Sequence, residues 1–143
     1  ASTIRRYVTT HGVRVVFVDY LQLMTHDADN ETKELGRITR ALKMLAMELG
    51  ITVVALSQLN RDVEGRDNKR PLLSDIRQSG RIEEDADVVT MIYRPAMYGK
   101  VDNDKEFLME LLVRKNRNGP TGTVRVYFNP TSVNVVQSLK EVL

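Results

Sequence analysis

Four short polar segments in this chain carry residue types suited to phosphate chemistry. The first is Asp19, which closes the apolar run Val15-Val16-Phe17-Val18. Three of those four residues are β-branched, so the run reads as a strand buried on both faces, as in a parallel sheet. An acid at the carboxyl end of such a strand faces the crevice where open α/β sheets bind ligands. A lone carboxylate there suits Mg²⁺ held beside a nucleotide's phosphates. The second is Gln58, which follows the apolar run Ile51 to Leu56. Its amide both donates and accepts, so it can bridge a γ-phosphate or an attacking water to a neighbouring element. The third is Arg77-Gln78-Ser79-Gly80-Arg81, a basic stretch near a helix start, where backbone N–H groups can meet phosphate and Gly80 permits close approach. The fourth is Arg114-Lys115-Asn116-Arg117, at a strand end entering a tight turn. Its Lys115 and Arg117 can reach outward together, and an Arg supplied in trans stabilises the charge of phosphoryl transfer. Each segment also has an ordinary structural use. Many buried strands end in Asp, a Gln can satisfy backbone groups, and basic turns are often plain solvated surface.

What is missing narrows the chemistry. A phosphate loop of the form G-x-x-x-x-G-K-[ST] does not occur. The only Gly-Lys pair is Gly99-Lys100, which is followed by Val101 and has Arg94 where the first Gly would stand. The lysine and backbone nest that cradle phosphates are therefore absent, which excludes a kinase or a free-standing NTPase within this sequence. No G-x-S-x-G nucleophile elbow is present. The two histidines are His11, at a helix end, and His26, so no His-rich metal site can be built. Cysteine is absent, which rules out disulfides and thiolate metal sites and suits a reducing, cytoplasmic location.

The elements that position these residues follow from periodicity. Ile4, Tyr7, Val8 and His11 mark a short amphipathic helix, with Gly12 as its stop. Residues 14–19 form the first strand. After the polar loop at 25–30, Leu35, Ile38, Leu42, Leu45 and Leu49 line one face of a long helix that ends at Gly50. Gly36 inside that pattern costs about 1 kcal/mol against Ala. Strand, helix and second strand make a right-handed βαβ crossover, which brings Asp19 and Gln58 to one sheet edge. The polar loop 60–75, with Gly65 and Pro71, suits a mobile segment, and a short helix covers 80–86. Strands follow at 88–93, 107–113, 123–128 and 133–136. The turn-rich joint at 116–122 connects two of them as a hairpin. The expected fold is thus α/β, with a parallel βαβ core followed by antiparallel hairpin strands.

At 143 residues the chain is one ordinary domain, and 42% hydrophobic with 28% charged residues is a soluble globular profile. The net charge of +2 is mild but unevenly spread, since no acid occurs between Glu110 and Glu141. That interval holds Arg114, Lys115, Arg117, Arg125 and Lys140, a face able to meet phosphates. No apolar run approaches the roughly 20 residues that span a bilayer. The opening Ala1-Ser2-Thr3-Ile4-Arg5-Arg6 has neither a signal peptide's apolar core nor an initiator Met, as expected of a piece of a longer protein.

Taken in order, the segments closely resemble the C-terminal motor domain of DnaB-type replicative DNA helicases, over nearly the whole chain. Val15 through Met24 is similar to that family's Walker B segment, and Val53 through Arg61 to its γ-phosphate sensor strand. Lys69-Arg70-Pro71, Ser74 through Gly80, Ile82-Glu83 and Asp85-Ala86-Asp87 resemble its DNA-binding loop. Lys115 through Gly122 resembles its arginine-finger hairpin. The resemblance implies a RecA-like fold, of which residues 1–143 are the C-terminal portion, a homo-hexameric ring, and ATP sites between subunits. It implies that Asp19 binds Mg²⁺ and that Gln58 senses the γ-phosphate and couples it to the DNA loop. Arg77, Gln78 and Gly80 then grip the backbone of single-stranded DNA. Lys115 and Arg117 enter the neighbour's ATP site, Arg117 as the finger. A replication loader and primase are the implied partners.

Gln78 stands where the family often has Glu, and Asn116 where it often has Gln. The phosphate loop and catalytic glutamate belong upstream of Ala1 in that family, so the isolated chain is expected to be inactive as an ATPase. Apolar residues that pack on those upstream elements are expected to be exposed, or the chain to pair with itself. Two other readings fit the same residues: a non-catalytic DNA-binding or ring-interface module, and a piece of another RecA-like ATPase such as a recombinase.

Overall fold

The computed structural model describes residues 1–25, 30–76, 80–99, 101–102 and 105–138. They form two compact units, one built from residues 1–60 and 76–86, the other from 61–75 and from 87 onward.

In the first unit, helices α1 (Ser2–His11) and α2 (Glu31–Leu49) each end where a glycine turns left-handed, Gly12 at φ 65° and Gly50 at φ 62°. That region is open to a residue without a Cβ. Strand β1 (Val15–Val18) pairs in parallel with β2 (Thr52–Ala55), and α2 is the crossover between them. The expected stripe on α2 faces inward, with Leu35 and Leu45 buried and Ile38, Leu42 and Leu49 half-buried. Helix α3 (Gly80–Asp85) packs on α2. Thr39 Oγ1 donates to Asp85 Oδ2 at 2.9 Å, and Arg40 pairs with the other carboxylate oxygen at 3.4 Å. A Cβ on Gly36 would lie 2.9 Å from Arg81 Cγ. The glycine that weakens α2 locally is therefore the one that lets α3 approach.

One expectation about β1 fails. Phe17 is 73% exposed and Val15 46%, so the strand is not buried on both faces. A strand is buried on both sides only when a layer flanks each face. Among the described residues the sheet has two strands, and Val15 and Phe17 point away from the layer that covers Val16 and Val18.

The second unit is an antiparallel sheet in the order β3 (Val88–Tyr93), β4 (Leu108–Asn116), β5 (Gly122–Asn129) and β6 (Asn134–Val136). Met91, Met109, Leu112 and Val126 are its buried apolar residues. Strand β4 runs three residues past the expected Val113, because β3 continues to pair with it after its pairing with β5 has ended. The expected mobile loop at 60–75 is instead packed. It holds two 3₁₀ turns, Arg61–Gly65 and Leu73–Asp75, and buries Val63, Pro71 and Asp75. Asp75 Oδ2 accepts from Arg66 Nη2 at 2.5 Å and from the Leu72 N–H at 2.7 Å. Arg70 grips Glu110 with two bonds of 2.6 and 3.1 Å while lying over the Tyr93 ring at 4.9 Å. Composition alone read this segment as polar, and two arginine–carboxylate pairs are what order it. Among the described residues, no helix is long and apolar enough to cross a membrane.

Glu110 is a carboxylate in the middle of a sheet, with its side chain 3% exposed, whereas that of Arg70 is 41% exposed. Losing Arg70 leaves the buried carboxylate to the longer 3.6 Å contact with Arg125, while losing the acid leaves cations that water can solvate. Arg70→Met is thus expected to destabilise the fold by about 3 kcal/mol, and Glu110→Gln by clearly less. The hydrogen bond from Arg70 holds the Glu110 carboxyl below its ordinary 4.5. This stabilisation is fully present above 4.5 and is lost as pH falls through the lower folded-state value. Urea denaturation from pH 7 to 3 checks both points, and Arg70→Met should flatten the acid limb of the curve.

Candidate functional site

In the first unit the parallel register sets Val18 opposite Ala55, so β1 and β2 release their chains at the same edge. The ladder continues one step past the strands. The Leu56 N–H donates to Val18 O at 2.9 Å, and the Leu21 N–H donates to Leu56 O at 3.0 Å. Asp19 lies inside that closed loop of bonds and Gln58 two residues beyond it, and both are exposed. The expected juxtaposition of an acid and an amide on one sheet edge is therefore present.

A residue that sequence reasoning did not single out ties this edge together. Gln22 sits in the 3₁₀ turn Leu21–Met24 that follows β1. Its Nε2 donates to Ser57 Oγ at 3.1 Å, and its Oε1 accepts the backbone N–H of Gln58 at 3.3 Å. One side-chain amide thus fixes where the chain carrying Gln58 leaves β2. The hints in the sequence were its place four residues after the apolar run and its position inside the stretch that resembles a Walker B segment.

Beyond Gln58, Leu59 forms an isolated antiparallel bridge with the buried Ile76. Arg77 and Gln78, both expected to contact DNA, lie outside the described residues. Gly80 opens α3 and is exposed, and a Cβ built on it meets nothing within 4 Å. The space beside its backbone is open, as close approach of a ligand requires.

The second unit presents Lys115 and Arg117. Lys115 sits opposite Val89 near the end of β4, and Arg117 is the first residue after that strand. The turn is shaped by Asn116. Its Nδ2 donates to Pro120 O at 3.2 Å, and its Oδ1 accepts the Asn118 N–H at 3.3 Å. The shorter amide at this position thus folds over the turn and organises it. Arg117 is held by Asp87. Its backbone N–H donates to Asp87 O at 2.8 Å, and its Nε lies 3.3 Å from Asp87 Oδ1. Both side chains are about half exposed, so the ion pair itself contributes roughly 0–1 kcal/mol. Asp87 was quoted only at the end of the stretch that resembles the DNA-binding loop, and its place beside Arg117 was missed, because that place depends on strand register.

The two-stranded parallel edge presenting an acid and an amide, followed in sequence by an antiparallel sheet with a basic hairpin, matches the fold of RecA-like helicase ATPase domains. Similar solved structures agree. The chain aligns with a solved ATPase domain at a TM-score of 0.85 and 41% identity, covering 96% of this chain and 49% of that one. It aligns with a DnaB-like replicative helicase, described together with its interactions with primase, at 0.84 and 40%, covering 94% and 33%. The family model of the DnaB-like helicase C-terminal domain matches residues 1–137, and the chain belongs to that family. Curated relatives include the replicative DNA helicase DnaB of Haemophilus influenzae, 50% identical over 127 residues. The DnaB of Geobacillus stearothermophilus is 46% identical over the same length. Each alignment covers 87% of this chain and about a quarter of the relative, 27% and 28% respectively.

The Gln22 amide offers a direct check of the edge. Gln22→Ala removes two hydrogen bonds at a half-buried position, and is expected to cost about 1–2 kcal/mol. A lower urea midpoint with an unchanged slope would show it; an unmoved midpoint would mean that Ser57 and Gln58 hold their places without it.

Proposed function

We propose that this chain is the C-terminal part of one motor domain of a replicative helicase. The whole protein hydrolyses ATP to translocate along single-stranded DNA and unwind duplex. In this reading Asp19 serves the Mg²⁺ side of the nucleotide. Among the described residues no three metal-ligating side chains cluster, and Asp19 offers one exposed hard oxygen. That donor set fits an ion that keeps several waters and takes one or two carboxylates beside phosphate oxygens. When bound, Mg²⁺ supplies neutralisation of phosphate charge.

Gln58 reads the γ-phosphate. The observation that carries the reading is the Leu59–Ile76 bridge. The residue after Gln58 pairs in an antiparallel bridge with the residue before Arg77, so a displacement at the phosphate reaches the DNA segment through one backbone pair. Arg77, Gln78 and Gly80 grip the phosphate backbone, which makes binding largely sequence-independent and salt-sensitive. Lys115 and Arg117 act in the ATP site of the neighbouring subunit of a homo-hexamer, Arg117 as the finger. The protein works in the cytoplasm without a membrane. A primase is supported as a partner by the solved relative described with one, and a replication loader belongs to the same reading.

The pure chain, lacking a phosphate loop, is expected to release no phosphate above background in a malachite-green assay with ATP and single-stranded DNA. Robust turnover would overturn the assignment of half a site. In the full-length subunit, hydrolysis should depend on single-stranded DNA, and Arg117→Ala should lower kcat about 10³-fold. A DNA-independent rate, or an unaffected Arg117→Ala enzyme, would remove the helicase-motor reading of these residues.

A further inference from the structure

We infer that Asp87 is a positioning residue for Arg117, presetting the finger by its root before a neighbour's nucleotide arrives. The inference rests on the reading of Arg117 given above. Asp87 contributes two acceptors to one residue, its carbonyl oxygen to the Arg117 backbone N–H at 2.8 Å and its carboxylate to Nε at 3.3 Å. Nε is the guanidinium donor nearest the stem, so this contact holds the side chain at its base. Both partners are about half exposed. An exposed pair is weak enough for a triphosphate to compete with it, so Asp87 orients the finger without trapping it.

The backbone supports this assignment independently. Strands β3 and β4 change register between Val89, which faces Lys115, and Thr90, which faces Val113. Arg114 is the extra residue of a bulge. With a regular ladder from Thr90 onward, Asp87 would face Asn116. The bulge advances β4 by one position, so that Val88 faces Asn116 and the next step brings Asp87 to Arg117. Bulges commonly re-aim side chains beside functional sites.

The test is a double-mutant cycle in the full-length subunit, with kcat and KM for ATP measured under saturating single-stranded DNA. Asp87→Ala is expected to lower kcat about tenfold and to move KM less than about twofold. Asp87→Asn, which keeps an acceptor but no charge, should fall between Asp87→Ala and the parent, and Asp87→Glu should restore part of the rate. Combined with Arg117→Ala, the Asp87→Ala change should add nothing. A parental kcat in Asp87→Ala, beside a crippled Arg117→Ala, overturns the positioning role and leaves the finger standing. So does a double variant about tenfold slower than Arg117→Ala alone. An Arg117→Ala enzyme with parental kcat overturns both assignments together. A purely structural role would shift the thermal midpoint of Asp87→Ala without the split between kcat and KM, and that result also overturns the inference.

Discussion

Parallel backbone pairing between β1 and β2 is the constraint on which the candidate site depends. Parallel strands must both point the same way, so whatever follows them emerges at one edge. Here that edge collects Asp19, Gln22 and Gln58. The pairing runs past the strand ends through Leu56, which donates to Val18 and accepts from Leu21. The Gln22 amide then locks the outgoing chain. None of these bonds is strong alone, since a typical one contributes about 1 kcal/mol net. Their value lies in geometry, because one short ladder sets the places of two exposed polar side chains on the same edge.

The second unit solves a different problem. A sheet that carries a carboxylate among its buried residues must neutralise it, and Glu110 draws Arg70 and Arg125 for that purpose. Arg70 comes from the preceding segment, so the charge inside the sheet is also what orders the chain before it. The Tyr93 ring beneath the guanidinium adds a face on which a delocalised cation sits well. Order in the 61–75 segment is therefore electrostatic in origin, with Val63 and Pro71 buried as it closes.

Much of this was legible in the sequence, and the reasons for the rest are specific. Apolar spacing located each α-helix and strand among the described residues, because it reflects the face an element buries, but it missed the short 3₁₀ turns. Asp19 and Gln58 were legible because each follows an apolar run directly. Burial of Phe17 was misread, since a run of apolar residues records that a strand is covered somewhere, not by which residues. The 61–75 segment was misread because its order comes from partners up to 40 positions away, which local composition cannot show. Gln22 and Asp87 lay within stretches that carried the resemblance, but what they touch was not legible for the same reason. An amide and an acid acquire a role only through what they face, and register decides that.

The Arg114 bulge gives β4 a bend at the root of its basic turn. Removing Arg114 would leave Val113 opposite Thr90 and Lys115 opposite Val89, so every later side chain would keep its partner and its face. What the extra residue changes is the course of the strand, because a bulge bends it and adds local right-handed twist just before Lys115 and Arg117. The basic turn is thus carried on a bent arm rather than at the end of a flat ladder.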